Sequence, residues 1–196
     1  MVKTKIAVLV SGGGTNLQAL LDAQAAGKLP HGKIALVVSN NPNAYALTRA
    51  GEAGVNTAVI TGERFEERLQ EVLQSAGIDM IVLAGFMKIL SGDFTARWPE
   101  RILNIHPALI PSFCGEGYYG LKVHEAALRY GVKITGATVH YVNEVPDGGR
   151  IIAQKAVEVR EGDTPEVLQR RVMEQAEWIL LPQAVEKVAE TLSQGK

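Results

Sequence analysis

Apolar runs and stretches of helical period alternate along the first half of the chain. Five short runs rich in β-branched residues predict buried strands at Ile6–Val10, Lys33–Ser39, Val55–Ile60, Asp79–Leu83 and Ile102–Ile105. Amphipathic segments between them predict helices at Thr15–Ala26, Ala44–Ala53 and Glu63–Ala76. Strands separated by helices of this kind form right-handed βαβ units, so this half predicts a parallel, Rossmann-like sheet.

The pattern changes after the fifth strand. A loop over Pro107–Gly120, rich in proline, glycine and aromatic residues, leads into a predicted helix at Leu121–Tyr130. Two longer strand-like segments follow, Ile134–Val142 and Arg150–Arg160. The Asp-Gly-Gly turn between these two segments predicts that they pair antiparallel.

A helical tail begins at Pro165, and Pro182 is expected to bend or break it. The predicted fold class is α/β, a doubly wound and mostly parallel sheet that is continued by an antiparallel C-terminal portion. The length favours a single domain over residues 1–196. Residues 1–106 form its Rossmann-like half, and residues 107–196 supply a lid, a hairpin and the C-terminal helix.

Composition narrows the class of protein. Twenty Lys and Arg against 21 Asp and Glu give a net charge of −1, so no nucleic-acid partner is expected. The longest apolar run, Met80–Met87, is too short to cross a membrane, and the N-terminus lacks a signal-peptide pattern, so a cytoplasmic protein is expected. The single Cys114 and the lack of histidines at i, i+4 spacing predict no metal site.

The first candidate site is the glycine loop Ser11–Asn16, between the first strand and the first helix. Its three glycines allow a sharp turn that brings main-chain amides close to a ligand, and the helix N-terminus favours an anion. The loop lacks the third glycine of a dinucleotide fingerprint and the Gly-Lys-Ser/Thr of a P-loop, so a small phosphate monoester is the predicted ligand. The alternative is a plain strand-to-helix turn with Thr15 as the N-cap.

The second candidate site is a polar pair at the end of the fifth strand. Asn104 and His106 alternate with Ile105, so their side chains share one face, and Pro107 ends the strand there. An amide and an imidazole can bind a carbonyl oxygen that becomes an oxyanion, and the histidine can carry a proton. A nearby Asp147 would raise the pKa of the imidazole. The alternatives are a structural polar pair and a plain hairpin turn.

The remaining histidines are expected to take no part in the chemistry. His140 shares a strand face with Thr138 and is interpreted as a satisfied sheet-face residue, although both could line a cleft. His31 and His124 lie in polar, helix-adjacent sequence and are expected at the surface.

Four segments occur in an order and spacing that resemble one enzyme family. They are SGGGTNLQALL from Ser11, VLAGFMKIL from Val82, LNIHPALIPSF from Leu103 and GATVHYVNEVPDGG from Gly136. Together they are similar to the phosphoribosylglycinamide formyltransferases of purine biosynthesis over essentially the whole chain. The resemblance implies transfer of a formyl group from 10-formyltetrahydrofolate to the amine of glycinamide ribonucleotide. Small-molecule substrates and a monomer or homodimer are expected.

The resemblance also implies roles for individual residues. The residues that match the catalytic trio are Asn104, His106 and Asp147. The residues that match the ribonucleotide site are Gly14, Thr15, Asn16 and Glu177, the last with one extra residue before it. The residues that match the folate site are Arg64, Met87, Lys88, Ile89, Leu90, Asn104, Asn143, Glu144, Val145, Pro146 and Asp147. Gly62 occupies the ungapped position of the family's folate-glutamate arginine, and Arg64 lies near it.

The loop after the fifth strand departs from the family pattern. Members usually carry a short Pro-Gly-Leu-x-x-His segment there, whereas this chain has residues 112–120, with His124 only later. The longer, glycine-rich lid predicts a mobile flap. Cys114 lies in this lid and is interpreted as incidental, because formyl transfer to an amine needs no covalent intermediate.

The mechanism expected from these residues is direct acyl transfer through a tetrahedral intermediate. Asn104 and His106 would donate hydrogen bonds to its oxyanion, with His106 held as an imidazolium by Asp147. Two rival activities are formyl-methionyl-tRNA synthesis and hydrolysis of the formyl-folate, whose families carry an additional domain. A non-enzymatic module that binds folate or sugar phosphate is the third hypothesis.

Overall fold

Seven strands form one mixed sheet in the computed structural model, which describes residues 2–195. They are β1 (Thr4–Val10), β2 (Gly32–Ser39), β3 (Asn56–Val59), β4 (Met80–Leu83), β5 (Ile102–His106), β6 (Ile134–Tyr141) and β7 (Ile151–Glu158). The order across the sheet is β3-β2-β1-β4-β5-β6-β7. The first five strands of this order pair in parallel, and β6 pairs antiparallel with both β5 and β7. The predicted fold class is confirmed.

Helices cover the two faces of the sheet. They are α1 (Thr15–Ala25), α2 (Tyr45–Glu52), α3 (Phe65–Ser75), α4 (Gly92–Ala96), α5 (Leu121–Tyr130), α6 (Pro165–Val172) and α7 (Trp178–Gln194), and a π-helical turn over Met173–Glu177 joins the last two. Only the short α4 lies outside the sequence prediction. It begins where the Ser91 hydroxyl accepts a hydrogen bond from the Phe94 amide, at 3.2 Å, and it buries the Phe94 ring.

The sequence analysis expects Pro182 to bend or break the C-terminal helix, and the break does not occur, because α7 continues through Pro182 to Gln194. A proline removes the hydrogen bond to the carbonyl four residues earlier, which here belongs to Trp178. Trp178 is the first residue of α7 after the π-helical turn, where the hydrogen-bond pattern is already changing from i−5 to i−4. The irregularity of the helix therefore lies before the proline, in that turn.

Two apolar clusters sandwich the sheet, and β1 at its centre belongs to both. Ile6, Val8 and Val10 point into the cluster formed with α1 and α7. Ala7 and Leu9 point into the opposite cluster, formed with α3 and α4. A central strand that is buried on both faces leaves only its ends for ligands. The carboxyl ends of β1, β4 and β5 meet at one edge of the sheet, and the candidate site lies there.

Candidate active site

One cleft of about 790 Å³ lies along this carboxyl edge. It is lined by the glycine loop 12–16, the segment 83–90 after β4, residues 104–107 at the end of β5, the lid residues 115–120, the loop 142–147, and His124, His140, Gln169, Met173 and Glu177. The structure therefore brings together nearly all residues that the sequence assigned to the catalytic, ribonucleotide and folate sites. Arg64 does not line the cleft. Its exposed guanidinium pairs with Glu67 instead.

His106 and Asp147 meet in this cleft although they are 41 residues apart in the chain. Nδ1 of the buried His106 lies 3.4 Å from Oδ2 of Asp147. The other ring nitrogen, Nε2, lies 2.8 Å from the main-chain oxygen of Phe113. A carbonyl oxygen only accepts, so Nε2 carries the hydrogen, and in the neutral ring Nδ1 faces the carboxylate as a bare acceptor.

Asn104 and His140 are directly opposite each other in the antiparallel pair β5–β6. The Asn104 amide Nδ2 lies 3.2 Å from Nε2 of His140 and donates to Oδ1 of Asp147 at 3.5 Å. Nδ1 of His140 lies 2.8 Å from the Tyr141 carbonyl oxygen, and Nε2 lies 3.4 Å from Asp147. Interpreted from the sequence as a sheet-face residue, His140 is thus a fourth polar group of the site. The signal that could have found it is the register of β6 on β5.

The turn that carries Asp147 is set by its two glycines. A Cβ on Gly149 would lie 1.7 Å from the Tyr141 oxygen, and one on Gly148 would lie 2.6 Å from Val145. Asp147 itself adopts a left-handed φ of 55°, which asparagine and aspartate tolerate better than most residues. The Asp-Gly-Gly sequence is therefore a steric requirement of a turn that aims the carboxylate at the two histidines.

Burial sets the charge state of the central pair. Burial lowers the pKa of His106, and it outweighs the raising effects of Asp147 and of the Phe113 carbonyl. Burial alone would raise the pKa of Asp147, but hydrogen bonding from His140, the charge of His106 and the Gly115 amide bring it below its usual range. The directions of these two shifts favour a neutral imidazole beside a carboxylate in the free protein. The imidazolium expected from the sequence belongs to the transfer step and stays a prediction.

The glycine loop is shaped by close packing against α2. Gly14 has a left-handed φ of 74°, and a Cβ there would lie 2.6 Å from Cβ of Ala46. Gly14 is therefore the N-cap of α1 and Thr15 its first residue, which corrects the alternative of Thr15 as the N-cap. The first amides of a helix lack intrahelical partners, so the start of α1 presents donors to the cleft.

Glu177 belongs to the C-terminal part of the chain and lies at the same end of the cleft as Asn16. Its buried carboxylate accepts a hydrogen bond of 2.7 Å from Nδ2 of Asn16, and burial raises the pKa of Glu177 to about 7. Glu177 is the last residue of the π-helical turn. The resemblance implies one extra residue before Glu177, and the irregular helical turn lies at the same place in the chain.

Apolar side chains form two walls of the cleft, in the part that the sequence analysis assigns to folate. Met87 and Ile89 are 57% and 74% exposed on one wall, and Val145 is 53% exposed on the other. The Met87 amide donates to the Ser11 hydroxyl at 2.9 Å, which ties this wall to the glycine loop. Across the cleft, the Asn143 side chain accepts from the Val145 amide at 3.0 Å and shapes the loop before Asp147.

The two histidines expected at the surface behave differently. His31 is partly exposed and lies 2.5 Å from Glu186 of α7. His124 is fully buried at the start of α5, and neither ring nitrogen has a hydrogen-bond partner. Burial lowers the pKa of His124 to about 4. The surface expectation for His124 is therefore wrong, because its side chain lies on the buried face of α5 with Val123 and Ala127.

Two structural features are absent from residues 2–195. In this range no three His, Cys, Asp or Glu side chains cluster as metal ligands would. None of the helices there is both long and apolar enough to span a bilayer.

A polar trio beside a glycine loop, at the carboxyl edge of a doubly wound sheet, defines an α/β enzyme of the group-transfer class. The family described as formyl transferase matches residues 4–185. Phosphoribosylglycinamide formyltransferase of Haemophilus influenzae is 45% identical over 177 residues, which are 87% of this chain and 81% of that protein. The crystal structure of glycinamide ribonucleotide transformylase 1 from Symbiobacterium toebii superposes with a TM-score of 0.89 at 42% identity, covering 96% of this chain and 89% of that one.

The chain belongs to the formyl transferase family, among its phosphoribosylglycinamide formyltransferases. The trifunctional purine biosynthetic protein adenosine-3 of Bos taurus is 44% identical over 194 residues. That match covers 95% of this chain but only 18% of the bovine protein.

Proposed function

We propose that this chain transfers the formyl group of 10-formyltetrahydrofolate to the amine of 5'-phosphoribosylglycinamide. The observation that supports this most is the convergence of Asn104, His106 and Asp147 with the glycine loop and Glu177 in one cleft. The acceptor is the one named by the Haemophilus relative. Small molecules are the proposed partners, and a cytoplasmic monomer or homodimer remains the prediction.

The ribonucleotide would bind at the β1–α1 end of the cleft. Gly14, Thr15 and Asn16 supply main-chain amides and the positive end of the α1 dipole for its phosphate. Glu177, held by Asn16, lies across from the loop and would contact the glycinamide part. This placement directs the amine toward the polar trio.

The folate would bind between the two apolar walls. The exposed side chains of Met87, Ile89 and Val145 suit the flat face of a heteroaromatic ring, and neighbouring main-chain groups supply hydrogen bonds. These walls end at Asn104 and Asp147, where the formyl carbon has to lie for the amine to reach it.

The chemistry follows from the charge states of the trio. The bare Nδ1 of neutral His106 accepts the proton that the amine loses as its nitrogen bonds to the formyl carbon. Asp147 stabilises the imidazolium that forms, and His106 returns the proton to the folate nitrogen as the carbon–nitrogen bond breaks. Asn104 donates its amide hydrogen to the oxyanion in place of its longer contact with Asp147.

A spectrophotometric assay of formyl-folate consumption, run with and without glycinamide ribonucleotide, tests this function. Consumption that requires the ribonucleotide is the expected result. Consumption without any amine would identify a hydrolase of the formyl-folate. Binding of either ligand without consumption would identify a non-enzymatic module, and formylation of methionyl-tRNA in a parallel assay would identify the other rival.

A further inference from the structure

The lid segment Phe113–Gly115 touches both His106 and Asp147 through its main chain. The Phe113 carbonyl oxygen lies 2.8 Å from Nε2 of His106, and the Gly115 amide donates to Oδ2 of Asp147 at 2.9 Å. That carboxylate oxygen is the one that lies 3.4 Å from Nδ1 of His106. The pair is therefore held from both ends by main-chain groups that are two residues apart.

Two oxygens compete for the single ring hydrogen of neutral His106. The Asp147 carboxylate favours a hydrogen on Nδ1, whereas the Phe113 carbonyl favours one on Nε2. The Phe113 contact is shorter by 0.6 Å, from 2.8 against 3.4 Å, so it fixes the Nε2–H tautomer. Only this tautomer leaves Nδ1 free to accept a proton beside Asp147.

The root of the lid is tied to the sheet. The buried Thr138 hydroxyl donates to the Ala108 carbonyl at 2.7 Å and accepts from the Ile110 amide at 3.1 Å. Gln154 donates to the Ile110 carbonyl at 3.0 Å. Beyond Ile110, the Ser112 amide donates to the Leu109 carbonyl at 2.9 Å, and the Gly115 amide donates to Asp147. Phe113 lies between these two bonds and has one further contact of its own.

The side chain of Phe113 provides that contact. Phe113 has a left-handed φ of 51°, which a non-glycine residue keeps only where its surroundings enforce it. Its half-buried ring packs against Tyr118 of the lid, with centroids 6.4 Å apart, and edge-on against Tyr130 at the end of α5, at 6.0 Å. The aromatic trio therefore joins the lid to α5 at the residue whose carbonyl meets His106.

We propose that Phe113 is a positioning residue for the transfer reaction: its carbonyl sets the His106 tautomer that accepts the amine proton, and its ring, packed on Tyr118 and Tyr130, holds that carbonyl in place. The proposal rests on the proposed function for the identity of the reaction. The tautomer itself is a property of the free protein and is independent of any substrate. On this account the lid takes part in the chemistry as well as covering the cleft.

The test compares Phe113→Ala with Phe113→Tyr, which keeps the ring. Long-range ¹H–¹⁵N NMR of the ¹⁵N-histidine-labelled protein should show the Nε2–H tautomer of His106 in wild type and in Phe113→Tyr, and a gain of the Nδ1–H form in Phe113→Ala. The alanine variant should lose about tenfold in kcat, as loss of a partner that orients a functional histidine typically does, with little change in KM for the ribonucleotide. The acidic limb of its kcat/KM profile should move to lower pH, because the Phe113 carbonyl raises the pKa of His106.

A second pair of variants covers the case in which Phe113→Ala fails to fold. Tyr130 is highly exposed, so Tyr130→Ala should fold and should show a smaller change of the same kind, whereas Tyr130→Phe should match wild type. An unchanged tautomer in the alanine variants, or a loss of kcat with an unchanged tautomer and an unchanged acidic limb, would overturn the proposal. If the tautomer shifts but wild type transfers no formyl group, the proposed function fails and the positioning role stands.

Discussion

At the scale of single residues, the site is organised by where its hydrogens lie. Main-chain carbonyls place one hydrogen on Nε2 of His106 and one on Nδ1 of His140. Nδ1 of His106, Nε2 of His140 and the Asn104 amide all face the carboxylate of Asp147. A proton that an attacking amine releases would therefore be taken up beside this negative charge.

Asn104→Ala and His106→Ala should each lower kcat about a hundredfold or more, because each removes a group that acts on the transition state. KM for both substrates should change little in steady-state kinetics. His31→Ala and Asn56→Ala, which replace the same residue types away from the cleft, serve as controls and should keep wild-type rates. Near-normal turnover in either cleft variant would contradict the assignment.

Asp147→Asn should lower kcat about a hundredfold or more, because the imidazolium that forms on His106 loses its counter-charge. Asp147 raises the pKa of His106, so the acidic limb of the kcat/KM profile should move to lower pH in the variant. A pH–rate profile over the acidic range measures this. A limb that stays in place would show that Asp147 and His106 are not electrostatically coupled.

The sequence alone predicted part of this site for a simple reason. Strand alternation is local, so Asn104 and His106 could be placed on one face without knowing any partner strand. The role of His140 depends on the register of β6 on β5, and the burial of His124 depends on how α5 packs. Both are tertiary properties that neither periodicity nor composition encodes.

At the scale of elements, the glycine loop between β1 and α1 owes its shape to the absence of a side chain at one position. The Gly14 position is closed by Ala46 of α2, whereas a Cβ on Gly12 would meet nothing within 4 Å. These neighbours in one loop therefore make a matched pair. Close packing requires the glycine at position 14, whereas no packing contact requires the glycine at position 12.

Gly14→Ala should destabilise the protein by roughly 2 kcal/mol or more, since it combines a left-handed φ with a clash against Ala46. Gly12→Ala should change the free energy of unfolding by less than about 0.5 kcal/mol, as expected where there is open space. Urea unfolding without ligand measures both. Equal losses in the two variants would refute the steric account of the loop.

Sequence patterns predicted the elements that local periodicity specifies and missed those that it does not. Strong apolar periodicity located the seven strands and the longer helices within a few residues. The five-residue α4 has too few residues for a periodic signal. The π-helical turn over Met173–Glu177 produces no local signal, because the apolar residues Leu168, Val172, Ala176 and Ile179 keep an ordinary helical spacing through it.

At the scale of the whole molecule, two buried titratable groups act in opposite directions on stability. His124 has a pKa of about 4 when folded against 6.5 for the free side chain, so stability is lost as the pH falls from about 6.5 to about 4. Glu177 has a pKa of about 7 when folded against 4.5, so its contribution is lost as the pH rises. Between these limits the two slopes offset each other.

Replacing either group should reveal how the other group makes the free energy of unfolding depend on pH. Relative to wild type, His124→Leu should lose about 2 kcal/mol of unfolding free energy as the pH rises from about 5 to about 6.5, and Glu177→Gln should gain about as much. Urea unfolding of the three proteins at both pH values gives the comparison. If each variant differs from wild type by the same unfolding free energy at both pH values, the pKa of neither group differs between the folded and the unfolded chain.

The π-helical turn determines where the C-terminal helix can change in length by one residue. Adding one residue to a regular helix rotates everything after it by about 100°, which would turn the apolar stripe of α7 away from the sheet. A π-helical turn can return to regular α-helical geometry when it loses one residue, and here the turn is confined to Met173–Glu177. Deleting one residue within it should therefore lower the free energy of unfolding less than deleting one inside α6 or α7, as urea unfolding of the variants would measure.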